Sequence, residues 1–296
     1  MLFRTDQYLR KFTVFGLCFS ILLALPDTGA YCAGGLAVAP MRITFEGRHR
    51  NHEITLRNND VETQVYRLSL IEMDMPEEGP LQILEKPEEN RKSAKKMIRF
   101  SPRQVTLRPG QVQIVRVRVR RPAGLEDSEY RSHLLFQNVP QVGNRIERQL
   151  ESQPTVGLQV NIVPVFGVAI PIIVRQGALN AEVALSDLQL TPATTARSAE
   201  KILSLLMERS GNRSVYGDLT VVHTLAGGGA VEVGRVNGVS VYTPGNRRRI
   251  SIRLMPPPGR SLSAGTLSVV YRAKAEEGGE LFADASIRLA QSVSSR

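Results

Sequence analysis

The longest regular pattern in the chain runs from Leu158 to Arg175, LQVNIVPVFGVAIPIIVR. Every even position from 158 to 174 is apolar: Leu158, Val160, Ile162, Pro164, Phe166, Val168, Ile170, Ile172 and Val174. The odd positions begin polar at Gln159 and Asn161 and turn small or apolar afterwards. Alternate side chains of a strand point to opposite faces, so this period predicts one long strand with a continuous apolar ridge. Its proline puts part of the strand at a sheet edge, because proline has no N–H to give to a neighbour. The pattern alone admits two readings. Either the ridge is buried in the chain's own sandwich, or it is kept for another chain.

Shorter alternations precede it. Val38 to Glu46 reads as a first strand, Asn51 to Asn58 and Gln64 to Glu72 as a second and third, with turn residues Asn58, Asn59 and Asp60 between the last two. Met73 to Lys96 reads as a charged loop with one short strand near Leu81 to Leu84 and a solvated basic cluster, Arg91, Lys92, Lys95 and Lys96. After the turn Pro109-Gly110, Val115, Val117 and Val119 alternate with Arg116, Arg118 and Arg120. Tyr130 to Val139 is the next strand, and Gln141 to Thr155 a polar loop.

Seven more strands are predicted beyond Gly177: Leu179 to Leu190, Ile202 to Arg209, Val215 to His223, Val231 to Tyr242, Arg249 to Met255, Thr266 to Arg272 and Leu281 to Leu289. Seven short strands with turn signals at this spacing describe a β-sandwich. Pro244-Gly245 again precedes a basic alternating strand, which hints at two related sandwiches. A chain of 296 residues has room for both.

The N-terminus does not belong to this pattern. Arg4, Arg10 and Lys11 precede the apolar run Phe12 to Pro26, followed by small residues, which is the layout of a secretory signal peptide. Cleavage after Cys32 or after Ala37 fits equally. The expected organisation is therefore a signal peptide over 1–37, a first domain over 38–175 and a second over 176–296. Both cysteines, Cys18 and Cys32, fall in the leader, so the mature chain has no internal disulfide. A lipid-modified Cys32 would call for leucine three residues earlier, where Gly29 stands.

Composition agrees with an all-β protein: no tryptophan, 24 glycines, 17 prolines and many Val/Ile/Thr-rich runs. The net charge is +10, and residues 1 to 32 hold three basic against two acidic side chains, so export barely alters it. The aromatics are not interleaved with the basic residues as base stacking on nucleic acid requires, so an acidic protein or a membrane surface is the expected partner class. His49 and His52 lack the spacing context of a metal site. No nucleophile elbow or phosphate-binding loop is present, and no catalytic constellation, cofactor, metal or small-molecule substrate is expected.

Four stretches in order resemble the PapD-like periplasmic pilus chaperones of the chaperone–usher pathway. They are MRITFEG at 41–47, FSPRQVTLRPGQVQIVRVR at 100–118, SEYRSHLLFQNVP at 128–140 and the long strand ending in IPIIVR at 170–175. The resemblance implies two immunoglobulin-like β-sandwich domains in a boomerang arrangement, exported to the periplasm. It implies pilin or fimbrial subunits as partners, together with an outer-membrane usher, and no enzymatic activity. Such a chaperone lends its long strand to a subunit whose own sandwich lacks one, which assigns Val160, Ile162, Pro164, Phe166 and Val168 to the donated ridge. The resemblance also assigns Arg42 as the anchor for the subunit's terminal carboxylate and Arg175 to the junction between the domains. One position departs: where the family carries a lysine on the long strand, this chain has Pro171. The competing reading is a structural or adhesive β-sandwich component of an exported surface assembly.

Overall fold

The computed structural model describes residues 31–33, 35–86, 91–140, 165–192, 201–225 and 227–289. Their first part forms β1 (Tyr31–Ala33), β2 (Leu36–Ala39), β3 (Ile43–Phe45), β4 (Asn51–Asn58), β5 (Gln64–Ile71), β6 (Met73–Asp74), β7 (Gln82–Ile83), β8 (Ile98–Ser101), β9 (Gln104–Leu107), β10 (Val112–Val119), β11 (Ser128–Asn138) and β12 (Gly167–Gln176). Two five-stranded sheets, β1-β2-β4-β10-β8 and β3-β12-β11-β5-β9, close on one core, and β6 and β7 make a small ribbon beside them.

The alternation read from sequence is the packing. Val115, Val117 and Val119 of β10 are buried in this core, while Arg116, Arg118 and Arg120 point to solvent. The expected first strand is divided. Leu36 and Val38 of β2 sit in one sheet, the chain passes the cis Ala39–Pro40 bond, and Ile43 and Phe45 of β3 join the other sheet. A proline cannot supply a ladder hydrogen bond, so the break falls where the chain changes sheets. The basic cluster at 91–96 is divided as well: Lys92, Lys95 and Lys96 are exposed, but Arg91 is inserted, donating to the Met73 carbonyl at 2.6 Å with Glu72 and Asp74 each 3.6 Å away.

The second part holds β13 (Ala181–Pro192), β14 (Lys201–Gly211), β15 (Val215–Leu225), β16 (Gly228–Val241), β17 (Arg247–Leu254), β18 (Gly265–Ala273) and β19 (Leu281–Leu289), with one 3₁₀ turn at Ala275–Glu277. All seven expected strands are there, as a three-stranded sheet β13-β14-β17 facing a four-stranded sheet β16-β15-β18-β19. Their core, built on Leu203, Leu219, Val221, Ile252, Leu267 and Tyr271, shares no residue with the first. The chain is thus a two-domain β-sandwich protein. At the link, Gly177 adopts φ +73° beside Asp127, whose carboxylate would overlap any added Cβ and accepts the N–H of Ala178 at 3.1 Å.

Candidate functional site

Two features of β12 set it apart, and the first is its edge. Antiparallel pairing with β11 covers one side of the strand from Gly167 to Gln176. On the other side β3 pairs only with Ile172 to Val174, so among the described residues Gly167 to Pro171 has no strand there. Val168, Ile170, Ile172 and Val174 fill the core of the first sandwich. Val168, counted in the sequence with the donated ridge, is only 7% exposed and is a core residue of its own domain. Two residues earlier on the same face, Phe166 is 53% exposed, while its carbonyl accepts the N–H of Asn138 at 2.9 Å. The face that packs the core from Val168 onward therefore continues uncovered at Phe166. Val160, Ile162 and Pro164 lie outside the described residues.

The second feature is the face of β12 turned away from that core. Parallel pairing of Ile172 with Ile43 sets Arg42 level with Pro171, and antiparallel pairing sets His133 opposite Pro171 and Arg131 opposite Ile173. Since Ile43, Ile172 and Leu134 point into the core, alternation turns Arg42, Pro171, Ile173, Arg131 and His133 to the other side. There they meet the second domain. Arg42 donates to the Tyr242 hydroxyl at 3.3 Å and stacks 4.6 Å from the ring centre of Tyr216. Arg131, 3% exposed, lies 4.2 Å from the Tyr242 ring centre and donates to the Thr243 carbonyl at 2.9 Å. Cations on aromatic faces gain from the ring quadrupole, more so when desolvated.

These cations have few acidic partners. Arg42 Nε is 3.9 Å from Glu277, beyond hydrogen-bond reach, and Arg42 Nε and Nη2 and Arg131 Nε have no hydrogen-bond partner among the described residues. Burial holds the Arg131 pKa down to about 10, still charged at neutral pH. His133 is fully buried, and burial, then Arg131, Arg91 and Arg42, push its pKa down to about 3, so the ring is neutral. With Arg131 donating toward Nε2 at 3.5 Å, the ring proton belongs on Nδ1. The sign of the resulting pH effect is fixed. The unfolded chain takes up this proton near pH 6.5 and the folded chain refuses it until about pH 3, so stability is lost as pH falls through that window. The expected slope from this group is at most roughly 1.4 kcal/mol per pH unit, and His133→Gln should remove it from denaturant melts recorded between pH 6.5 and 4. An unchanged slope would show that His133 protonates in the folded protein.

Behind this cluster lies a third group. Arg175 donates to the buried Glu129 at 3.3 Å and to Glu46 at 3.1 Å. Glu129 in turn accepts from the Ser214 hydroxyl and, at 3.2 Å, from the Ser214 N–H of the second domain. Sequence reading named Arg42 and Arg175, which lie in these groups, and did not name Arg131, Tyr242, Glu129 or Glu277. A signal was present for two of them: Glu129, Arg131 and His133 are the odd, polar positions of a strand whose even positions include Tyr130 and Leu134. Nothing in the pattern said that this polar face is covered by the other domain.

No family model matches the sequence, and no curated protein sequence matches it. Solved structures similar to it include the E. coli chaperone DraB, at 12% identity and a TM-score of 0.43 over 86% of this chain and 96% of that one. Another is the Pseudomonas aeruginosa CupB2 chaperone, at 12% identity and a TM-score of 0.39 over 86% of this chain and 99% of that one. A third is described as Salmonella enterica SafA pilin in complex with the SafB chaperone, at 13% identity and a TM-score of 0.38 over 88% and 99%.

Proposed function

We propose that the chain is an exported periplasmic chaperone of the chaperone–usher type, which binds pilin or fimbrial subunits whose sandwiches lack a strand. The observation that carries this reading is the exposed Phe166 just before a strand whose outer edge, among the described residues, is unpaired through Pro171. An incomplete sandwich needs what this edge offers: backbone groups for a ladder and apolar side chains at alternate positions. Arg42, level with Pro171 and with N–H groups lacking a partner among the described residues, would hold a terminal carboxylate and so set the register of the added strand; those two features support this assignment. Val160, Ile162 and Pro164 would extend the ridge. The role is binding, with no chemical step.

Export through the leader accompanies this reading. Cleavage after Cys32 removes most of β1 and keeps Leu36 and Val38, both buried in the first core, whereas cleavage after Ala37 would remove Leu36. The second domain closes the site from its other side, and an outer-membrane usher would receive the loaded complex.

The test uses protein purified from the periplasm, its N-terminus fixed by intact mass, with a co-expressed pilin subunit and a synthetic peptide of that subunit's C-terminal strand. A stable complex is expected. Arg42→Ala should weaken peptide binding by roughly tenfold to a hundredfold, the range of a charge-assisted hydrogen bond, read below the onset of the variant's own thermal unfolding because its contacts with Tyr216 and Tyr242 are also lost. Amidating the peptide should cost the wild type as much and the variant nothing more. Absence of a complex, or an equal loss in both proteins, would overturn the reading.

A further inference from the structure

Arg42 is not open to solvent in the way an idle anchor would be. Its side chain is 10% exposed, between the rings of Tyr216 and Tyr242, with one carboxylate near it, that of Glu277. Glu277 belongs to the second domain, at the end of the 3₁₀ turn that joins β18 to β19. The backbone of this turn is satisfied: the N–H groups of Glu277 and Gly279 bond the Lys274 carbonyl at 2.9 and 3.0 Å, and Lys274 itself is held by Asp218 at 2.8 Å. The turn is fixed at its base, and none of its three residues is buried.

The Glu277 carboxylate itself is held loosely. Among the described residues its side chain makes no other ion pair and no hydrogen bond, and it stands 3.9 Å from Arg42 Nε without bonding it. The other acids near the cluster are engaged elsewhere. Glu72 and Asp74 face Arg91, Glu72 also accepts from Ser93 and Ser132, and Glu129 is taken up by Arg175 and Ser214. The arrangement leaves Arg42 with unspent donors and one weakly held, 31% exposed carboxylate at its mouth.

We infer that Glu277 is an internal stand-in for the ligand: in the free protein its carboxylate occupies the approach to Arg42, and a bound chain's terminal carboxylate displaces it. This rests on the reading of Arg42 as a carboxylate anchor and adds a residue that sets its selectivity. Displacement trades one carboxylate for another, so the buried arginine is never left without a counter-charge. A ligand ending in an amide or an uncharged group gains too little from Arg42 to displace Glu277, so it is denied the anchor and its affinity does not depend on Glu277. A ligand carboxylate able to bond Nε and Nη2 together would exceed what Glu277 achieves at 3.9 Å.

The experiment follows the Arg42 side-chain Nε–Hε resonance, assigned by its loss in Arg42→Lys, during titration with sodium acetate at constant ionic strength in sodium chloride. The expected result is a saturable shift whose dissociation constant is lower in Glu277→Gln than in the wild type by roughly twofold to fivefold, the span of a part-exposed ion pair. Glu277→Asp, which keeps the charge but withdraws it by one methylene, should fall between. Equal constants in wild type and Glu277→Gln, or no saturable shift in either, overturn the inference. A second arm uses a pilin C-terminal peptide as free acid and as amide, and Glu277→Gln should tighten only the free acid. Acetate discrimination without any peptide binding would leave the gate standing and remove the chaperone reading, while peptide binding indifferent to Glu277 would do the reverse.

Discussion

Ile170→Asp should unfold the first sandwich, whereas Phe166→Asp, four residues earlier and just before the strand begins, should leave it folded and unable to capture a subunit. Ile170 is fully buried among Leu134, Phe136 and the other residues of the first core. A carboxylate there has neither a partner nor room for water, so it loses the transfer energy of the isoleucine and adds the desolvation of a polar group. The sum exceeds about 4 kcal/mol and takes most of the stability of an ordinary domain. Phe166 is half exposed, its backbone is already bonded to Asn138, and a substitution there should cost within about 0.5 kcal/mol. Its loss falls on binding, where a buried large apolar side chain is worth about 1.5–3 kcal/mol before the ordering of the partner is counted. Denaturant unfolding of both variants, beside subunit capture by Phe166→Asp, reads this out. If Phe166→Asp unfolds as readily as Ile170→Asp, the ridge is an internal core throughout and is not available to another chain. If it folds and still captures, the donated strand begins elsewhere.

That contrast marks how far the sequence could be read. Period two along 158–174 identified a strand and its apolar face, and period two is all that packing requires of a strand, whether the core it fills is its own or another's. The change from covered to uncovered falls between Val168 and Phe166, two residues identical in pattern. The seven strands of the second sandwich were legible because each alternates and each is bounded by turn residues. The division at Pro40 shows in the sequence only as a change of phase, the buried positions being even before it, Leu36 and Val38, and odd after it, Ile43 and Phe45. For the site, Arg42 and Pro171 were placed by motif, and the pairing registers set them level. Arg131, 89 residues from Arg42, is brought near it by strand pairing inside the first sandwich, and Glu277, 235 residues away, by the docking of the second domain, and no local pattern encodes either.

The docking is also where the largest loss from a single polar substitution is expected. Glu129→Ala should destabilise the protein by about 3–5 kcal/mol, the usual cost of removing one partner from a buried ion pair. Glu129 is fully enclosed on β11, and its two oxygens are shared by Arg175, the Ser214 hydroxyl and N–H, and, at 3.5 Å, the Thr243 hydroxyl. Its removal leaves Arg175, 10% exposed, facing Glu46 alone, and releases two polar groups of the second domain. Glu129→Gln keeps an acceptor for Ser214 and loses the charge, so it should cost less. Ser214→Ala should cost about 0.5–1.5 kcal/mol, the net value of one hydrogen bond. The domains join through this group, so Glu129→Ala should also separate their unfolding into two transitions, followed by calorimetry on each isolated domain beside the full chain. The same substitution tests how the anchor is assembled. Arg42 and Arg131 belong to the first domain, but the rings they stack on and the carbonyl that Arg131 bonds belong to the second. If the joint positions them, Glu129→Ala weakens carboxylate binding at Arg42 without touching it. A variant that unfolds in one transition and binds carboxylate like the wild type would show that Tyr242 and Thr243 are held by the second domain alone, with Glu129 contributing nothing to the site.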